Sequence, residues 1–168
     1  MTIHDPLSPA SQSTGNPGGA TVADLRALDS LQSLIVLMFR DWCDGPDGQQ
    51  RVTQVFQGAL GRLPGDTGLA AWIEMMAILS DDVRRPVMRH ALTCRCVGAD
   101  EAVIAQVLSL AGQGEREEAM LVLSLLVSGD RLLMAVNAAE RAGLACMRIN
   151  LRAPHVAGVT PPATTRLH

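Results

Sequence analysis

Apolar residues recur at helical spacing through most of the middle of this 168-residue chain. Leu25, Leu28, Leu31, Ile35, Met38, Phe39 and Trp42 predict a first helix over about 22–43. Its centre, 34–39, is apolar on every side, the pattern of a buried central helix. Asp44-Gly45-Pro46-Asp47-Gly48 breaks the periodicity. Val52, Val55, Phe56, Ala59, Leu60 and Leu63 then form the stripe of a second helix, closed by Pro64-Gly65-Asp66. Leu69, Trp72, Ile73, Met76 and Leu79 mark a third. Pro86 lacks an N–H, which costs little in a first turn, and so predicts a fourth helix over about 86–95. Three more are expected at about 100–112, 115–128 and 130–143, with Gly112/Gly114, Gly129 and Gly143 separating or ending them.

Two stretches depart from this period. In Met147-Arg148-Ile149-Asn150-Leu151-Arg152 apolar and polar residues alternate strictly. That pattern predicts a half-buried strand, paired by strand addition with a second copy or another protein, or an extended segment lying across the helices. Residues 1–20, rich in Ser, Gly and Pro, and 153–168, with Pro161-Pro162, carry no apolar period and predict a disordered leader and tail. The last three helices recur at similar spacing, but one helix per interval without a shared signature is no solenoid. The expectation is an all-α domain over 21–152, a compact bundle of six or seven short helices.

Composition refines this picture. The chain is 48% hydrophobic but holds only four aromatic residues, Phe39, Trp42, Phe56 and Trp72, so aliphatic side chains and eight methionines must fill the core. All fourteen basic residues are arginine, and with the Ala and Gly bias this points to a GC-rich, bacterial coding source. A net charge of −3 argues against general nucleic-acid binding, which needs surplus positive charge to displace counterions. The first twenty residues contain no apolar signal region, and no apolar run approaches the ~20 residues of a membrane span. Four cysteines are too sparse for a disulfide scaffold, so the expected setting is a reducing cytosol.

Candidate chemistry concentrates in Arg89-His90-Ala91-Leu92-Thr93-Cys94-Arg95-Cys96. On a helix over 86–95, His90 and Cys94 would share a face. Cys96 joins them only where the helix stops first, which Gly98 would assist. Three readings stay open. His90, Cys94 and Cys96, with Cys43 as a fourth ligand, have the donor types of a structural zinc site. Over seven residues the spacing resembles the His-x3-Cys-x2-Cys of zinc-containing anti-sigma factors, with the second cysteine interval one residue shorter. Alternatively Cys94 and Cys96 form a reversible disulfide, activated by the flanking Arg89 and Arg95. Finally, Cys94 is a small core residue in line with Val87 and Ala91, as Cys146 is expected to be in its own segment.

Arg84, Arg85, Arg89 and Arg95 form a second cluster, suited to gripping an acidic partner surface or else a solvated face beside Asp81-Asp82. Asp100-Glu101 and Glu115, Glu117 and Glu118 sit in first turns, where carboxylates complement the helix dipole. The chain has no phosphate loop, nucleophile elbow, zincin motif or EF-hand. If the apolar faces of 34–39 and 121–127 are not both wrapped, the surplus becomes a dimer or partner interface. The functional expectation is a cytosolic, non-enzymatic regulator or adaptor working through a protein partner or homodimer, without membrane or nucleic acid and without a cofactor. The alternative is a zinc- or thiol-dependent sensor built on Cys43, His90, Cys94 and Cys96, controlling transcription through a bound partner.

Overall fold

Asp29 opens the first helix: its carboxylate accepts from Gln32 N at 2.7 Å and satisfies a first-turn amide. That helix, α1, spans Ser30–Trp42 in the computed structural model, which describes residues 16–153. It starts later than its periodicity predicts because Thr21–Asp24 forms a strand, β1. β1 pairs antiparallel with β2, Cys96–Gly98, in the register Thr21↔Gly98, Ala23↔Val97, Asp24↔Cys96, with a bulge at Val22.

Gly45 at φ 93° turns the chain into α2, Pro46–Leu60, with Pro46 in its first turn. Val52, Phe56 and Leu60 face inward as expected, but Leu63 is 80% exposed. The break falls at Gly61, φ 82°, and not at Pro64-Gly65. Pro64 lies within the first turn of α3, Arg62–Asp81, where amides have no intrahelical partner to lose. The remaining helices are α4, Ala99–Gln113, α5, Arg116–Leu123, and α6, Leu132–Arg152. The described chain is thus an all-α bundle of six helices with one two-stranded ribbon.

Three expectations are corrected. Residues 86–95 are not helical, and the whole of 82–95 is an irregular segment joining α3 to β2. Residues 147–152 are not a strand but the last turns of α6, so they offer no edge for strand addition. Ile149 is buried there while Leu151 is 71% exposed, as helical spacing requires. The central helix is α6 and not α1. It touches all five other helices and buries Ala135, Val136, Ala138, Ala139, Ala142, Ala145, Cys146 and Ile149. Its small side chains admit close neighbours. A Cβ on Gly143 would lie 2.1 Å from Leu108 O and 2.8 Å from Gly112 N, so Gly143 seats α6 against α4 instead of ending a helix.

The predicted leader and tail fall mostly outside the described residues. Residues 16–20 lie inside them, where Pro17–Gly19 forms a 3-10 turn with Gly18 buried. At the centre of α1 all but Leu34 and Leu37 are buried. The 121–127 stretch is less completely wrapped, leaving Leu121 71% and Leu125 62% exposed. No described helix is long and apolar enough to cross a membrane.

Candidate functional site

Arg40 sits on α1 among buried apolar neighbours and is itself fully buried, a position open to a charge only if it is paired and hydrogen-bonded. Its Nε and Nη2 reach the two carboxylate oxygens of Glu101, also fully buried, at 2.7 and 2.8 Å. The rest of the guanidinium is spent on backbone. Nη1 donates to Cys94 O at 2.6 Å and Ala91 O at 3.3 Å, and Nη2 donates to Cys96 O at 2.7 Å. One planar fork thereby holds three carbonyls of the segment leading into β2.

Glu101 completes the clamp from the first turn of α4. Besides Arg40, it accepts from Gly98 N at 2.8 Å and His90 N at 2.9 Å, and His90 Nδ1 lies 3.2 Å from its Oε2. Burial, the largest single influence, pushes this carboxyl up. The Arg40 guanidinium and the amides of Gly98 and His90 outweigh it together and hold the group below the ordinary carboxylate range. Next to it, buried Asp100 takes both Arg85 nitrogens, at 2.6 and 2.7 Å, and Met88 N at 2.9 Å. Two backbone amides of this irregular segment, those of Met88 and His90, are thus satisfied by carboxylates without a helix.

The pH dependence follows from the direction of the Glu101 shift. A depressed folded pKa supplies stability that is fully present above the ordinary value of 4.5 and lost as pH falls through the folded value. Urea unfolding between pH 7 and pH 3 should therefore show falling stability at the acid end. The Glu101→Gln variant should show a shallower slope there, and an unchanged slope would remove Glu101 as the titrating group.

The four proposed metal ligands are not brought together. Cys94 and Cys96 are joined in a disulfide with Cα atoms 5.5 Å apart, which the absence of a helix permits. His90 is turned onto Glu101, its ring packed against Gly98. Cys43 at the end of α1 is exposed as a residue, and partial desolvation of its thiol pushes that group up, an effect that Arg89 opposes and Glu101 reinforces. Among the described residues no group of three or more His, Cys, Asp or Glu side chains is placed to hold a metal ion. Cys146 is buried in α6 with its thiol pushed up to about 12, as a small core residue.

The arginine cluster divides. Arg85 turns inward to Asp100, whereas Arg89 donates to Cys43 O at 3.1 Å and lies 3.9 Å from Asp44. Arg95 reaches Asp24 at 3.4 Å while remaining 60% exposed, and Arg84 is exposed. Phe39, Trp42, Met76, Leu79, Pro86 and Val87 line a cavity of about 260 Å³ beneath the segment, with Cys43 at its wall. Sequence reasoning missed Arg40 and Asp100-Glu101 as a unit. The available signal was one arginine within an otherwise apolar helical stripe, which only a buried counter-charge could tolerate.

No protein-family model, curated protein or solved structure matches this chain.

Proposed function

We propose that this protein is a non-enzymatic, cytosolic regulator that meets an acidic protein surface through the 82–95 segment, in a shape set by the Cys94–Cys96 bond. The observation that carries this reading is that one buried guanidinium holds the carbonyls of both bonded cysteines. Opening the bond therefore acts on backbone anchored at the centre of the molecule. Arg84, Arg89 and Arg95 lie on that backbone and supply the complementary charge. The buried charges support a structural role, since Arg40, Glu101 and Asp100 are engaged with each other and with main chain. In a reducing cytosol, disulfides are chiefly transient and redox-sensing, which agrees with a switch more than with a staple.

The reaction is two-electron reduction by a dithiol: the Cys94–Cys96 bond breaks, both sulfurs become thiols, and the reductant closes its own disulfide. A three-residue loop contributes only about 1.5 kcal/mol by chain entropy, so reduction should reshape the segment without unfolding the bundle. Denatured protein treated with maleimide should take up two labels when oxidised, on Cys43 and Cys146, and four after reduction. Hydrogen exchange should then rise at Met88, His90 and Gly98 on reduction and stay constant in α2, α3 and α6. A label count that stays the same between oxidising and reducing glutathione poises, or identical exchange in both forms, would refute the switch.

A further inference from the structure

A groove far along the chain from the 82–95 segment has a different character. It lies where the start of α3 meets the second half of α6, with a volume of about 220 Å³. Leu60, Pro64, Leu144 and Ala145 give it an apolar lining, and Arg141 and Arg148 stand two helical turns apart at its wall. The two arginines differ. Arg141 Nη2 is paired with Glu74 Oε2 at 2.6 Å, while Arg148 is exposed and has no carboxylate partner among the described residues. One turn further on, Arg152 donates to the carbonyl of Ala59, beside Leu60, and brings a second guanidinium with no carboxylate partner among the described residues to the same end. The groove therefore combines apolar walls with positive charge on Arg148 that no carboxylate among the described residues pairs.

We infer that this groove binds a small amphiphile with an anionic head, a medium-chain carboxylate in chemical class, its tail on Leu60 and Leu144 and its head on Arg148. The volume lies below the roughly 300–1,000 Å³ of drug-sized sites, which favours a short aliphatic or single-ring body. The guanidinium fork matches a carboxylate in two parallel hydrogen bonds, the geometry in which such pairs are strongest. Leu144 is 37% exposed in the unliganded chain, and covering it supplies the hydrophobic part of the affinity. This inference does not depend on the Cys94–Cys96 bond.

The test uses sodium octanoate and octan-1-ol as probes on the full chain, below the micelle concentration, followed by calorimetry and by methyl NMR shifts. Octanoate should bind saturably and shift the methyl signals of Leu60, Leu144 and Ala145. Octan-1-ol should bind about tenfold more weakly, the low end of what a charge-assisted hydrogen bond contributes. Arg148→Gln should weaken octanoate about tenfold and leave octan-1-ol unchanged. Leu144→Glu, placing a carboxylate in the groove, should abolish octanoate binding and provides a second route if the first variant is unstable. Acetate, which has the head without the body, should not bind. Equal affinity for octanoate and octan-1-ol, indifference to both substitutions, or methyl shifts confined to the cavity beside Cys43 would overturn the assignment.

Discussion

Arg40→Met should destabilise the protein by about 3–5 kcal/mol, the scale expected when one partner of a buried ion pair is removed. Two losses combine in this variant. Glu101 remains fully buried without its counter-charge, and the carbonyls of Ala91, Cys94 and Cys96 lose their shared donor. The double variant Arg40→Met/Glu101→Leu removes the stranded charge, a change that often restores stability when the rest of a site is apolar. Here it should recover only part of the loss, because the carbonyls of Cys94 and Cys96 and the amides of Gly98 and His90 would still be without the partners they lose. Denaturant midpoints for both variants check this. A cost below about 1 kcal/mol for the single change would mean that water replaces the guanidinium, at variance with its complete burial.

Gly143→Ala should cost about 3 kcal/mol, at the upper end of overpacking. Alanine is normally the better helix former by roughly 0.5–1 kcal/mol, so local preference points the other way. Contact decides the sign. The new methyl would fall 2.1 Å from Leu108 O, a backbone atom of α4 that has no rotamer to yield. The two helices would have to separate, loosening the Ala139, Ala142 and Cys146 layers beside it. Gly58→Ala in α2 is the control, since nothing lies within 4 Å of its position. That change should stabilise by roughly 0.5–1 kcal/mol. Equal effects at the two positions in thermal melts would show that α4 and α6 are not as close as the geometry requires.

Residue patterns revealed the helices unevenly, and each miss has a physical reason. α2 and α3 carry clear stripes, but their junction was placed at Pro64 because proline and glycine both read as punctuation. Proline is equally at home in a first turn, and only Gly61 has the positive φ that breaks the path. The alternation over 147–152 mimicked a strand because six residues sample two turns too briefly to separate the periods. The apolar stripe pointed to α1 as central and not to alanine-rich α6, because the place of α6 depends on small side chains, while hydropathy marks large ones. The meeting of Cys94 with Cys96 was among the readings the local sequence left open, conditional on an interrupted helix. Arg40, which holds that interruption, lies far away on α1 and gave no local sign of it.

From its amino acids alone the chain determined an all-α bundle, the existence of most of its helices, and the congregation of arginine and cysteine near residue 90. These properties come from side-chain period and composition, which act over a few turns. The tertiary structure decided that 82–95 stays irregular, that α6 occupies the centre, and that the imidazole of His90 turns to Glu101. Those outcomes rest on burial and on charge pairing between α1 and α4. Such terms exist only once distant segments have met, and in a low-dielectric interior they outweigh the modest preference of ten residues for a helix.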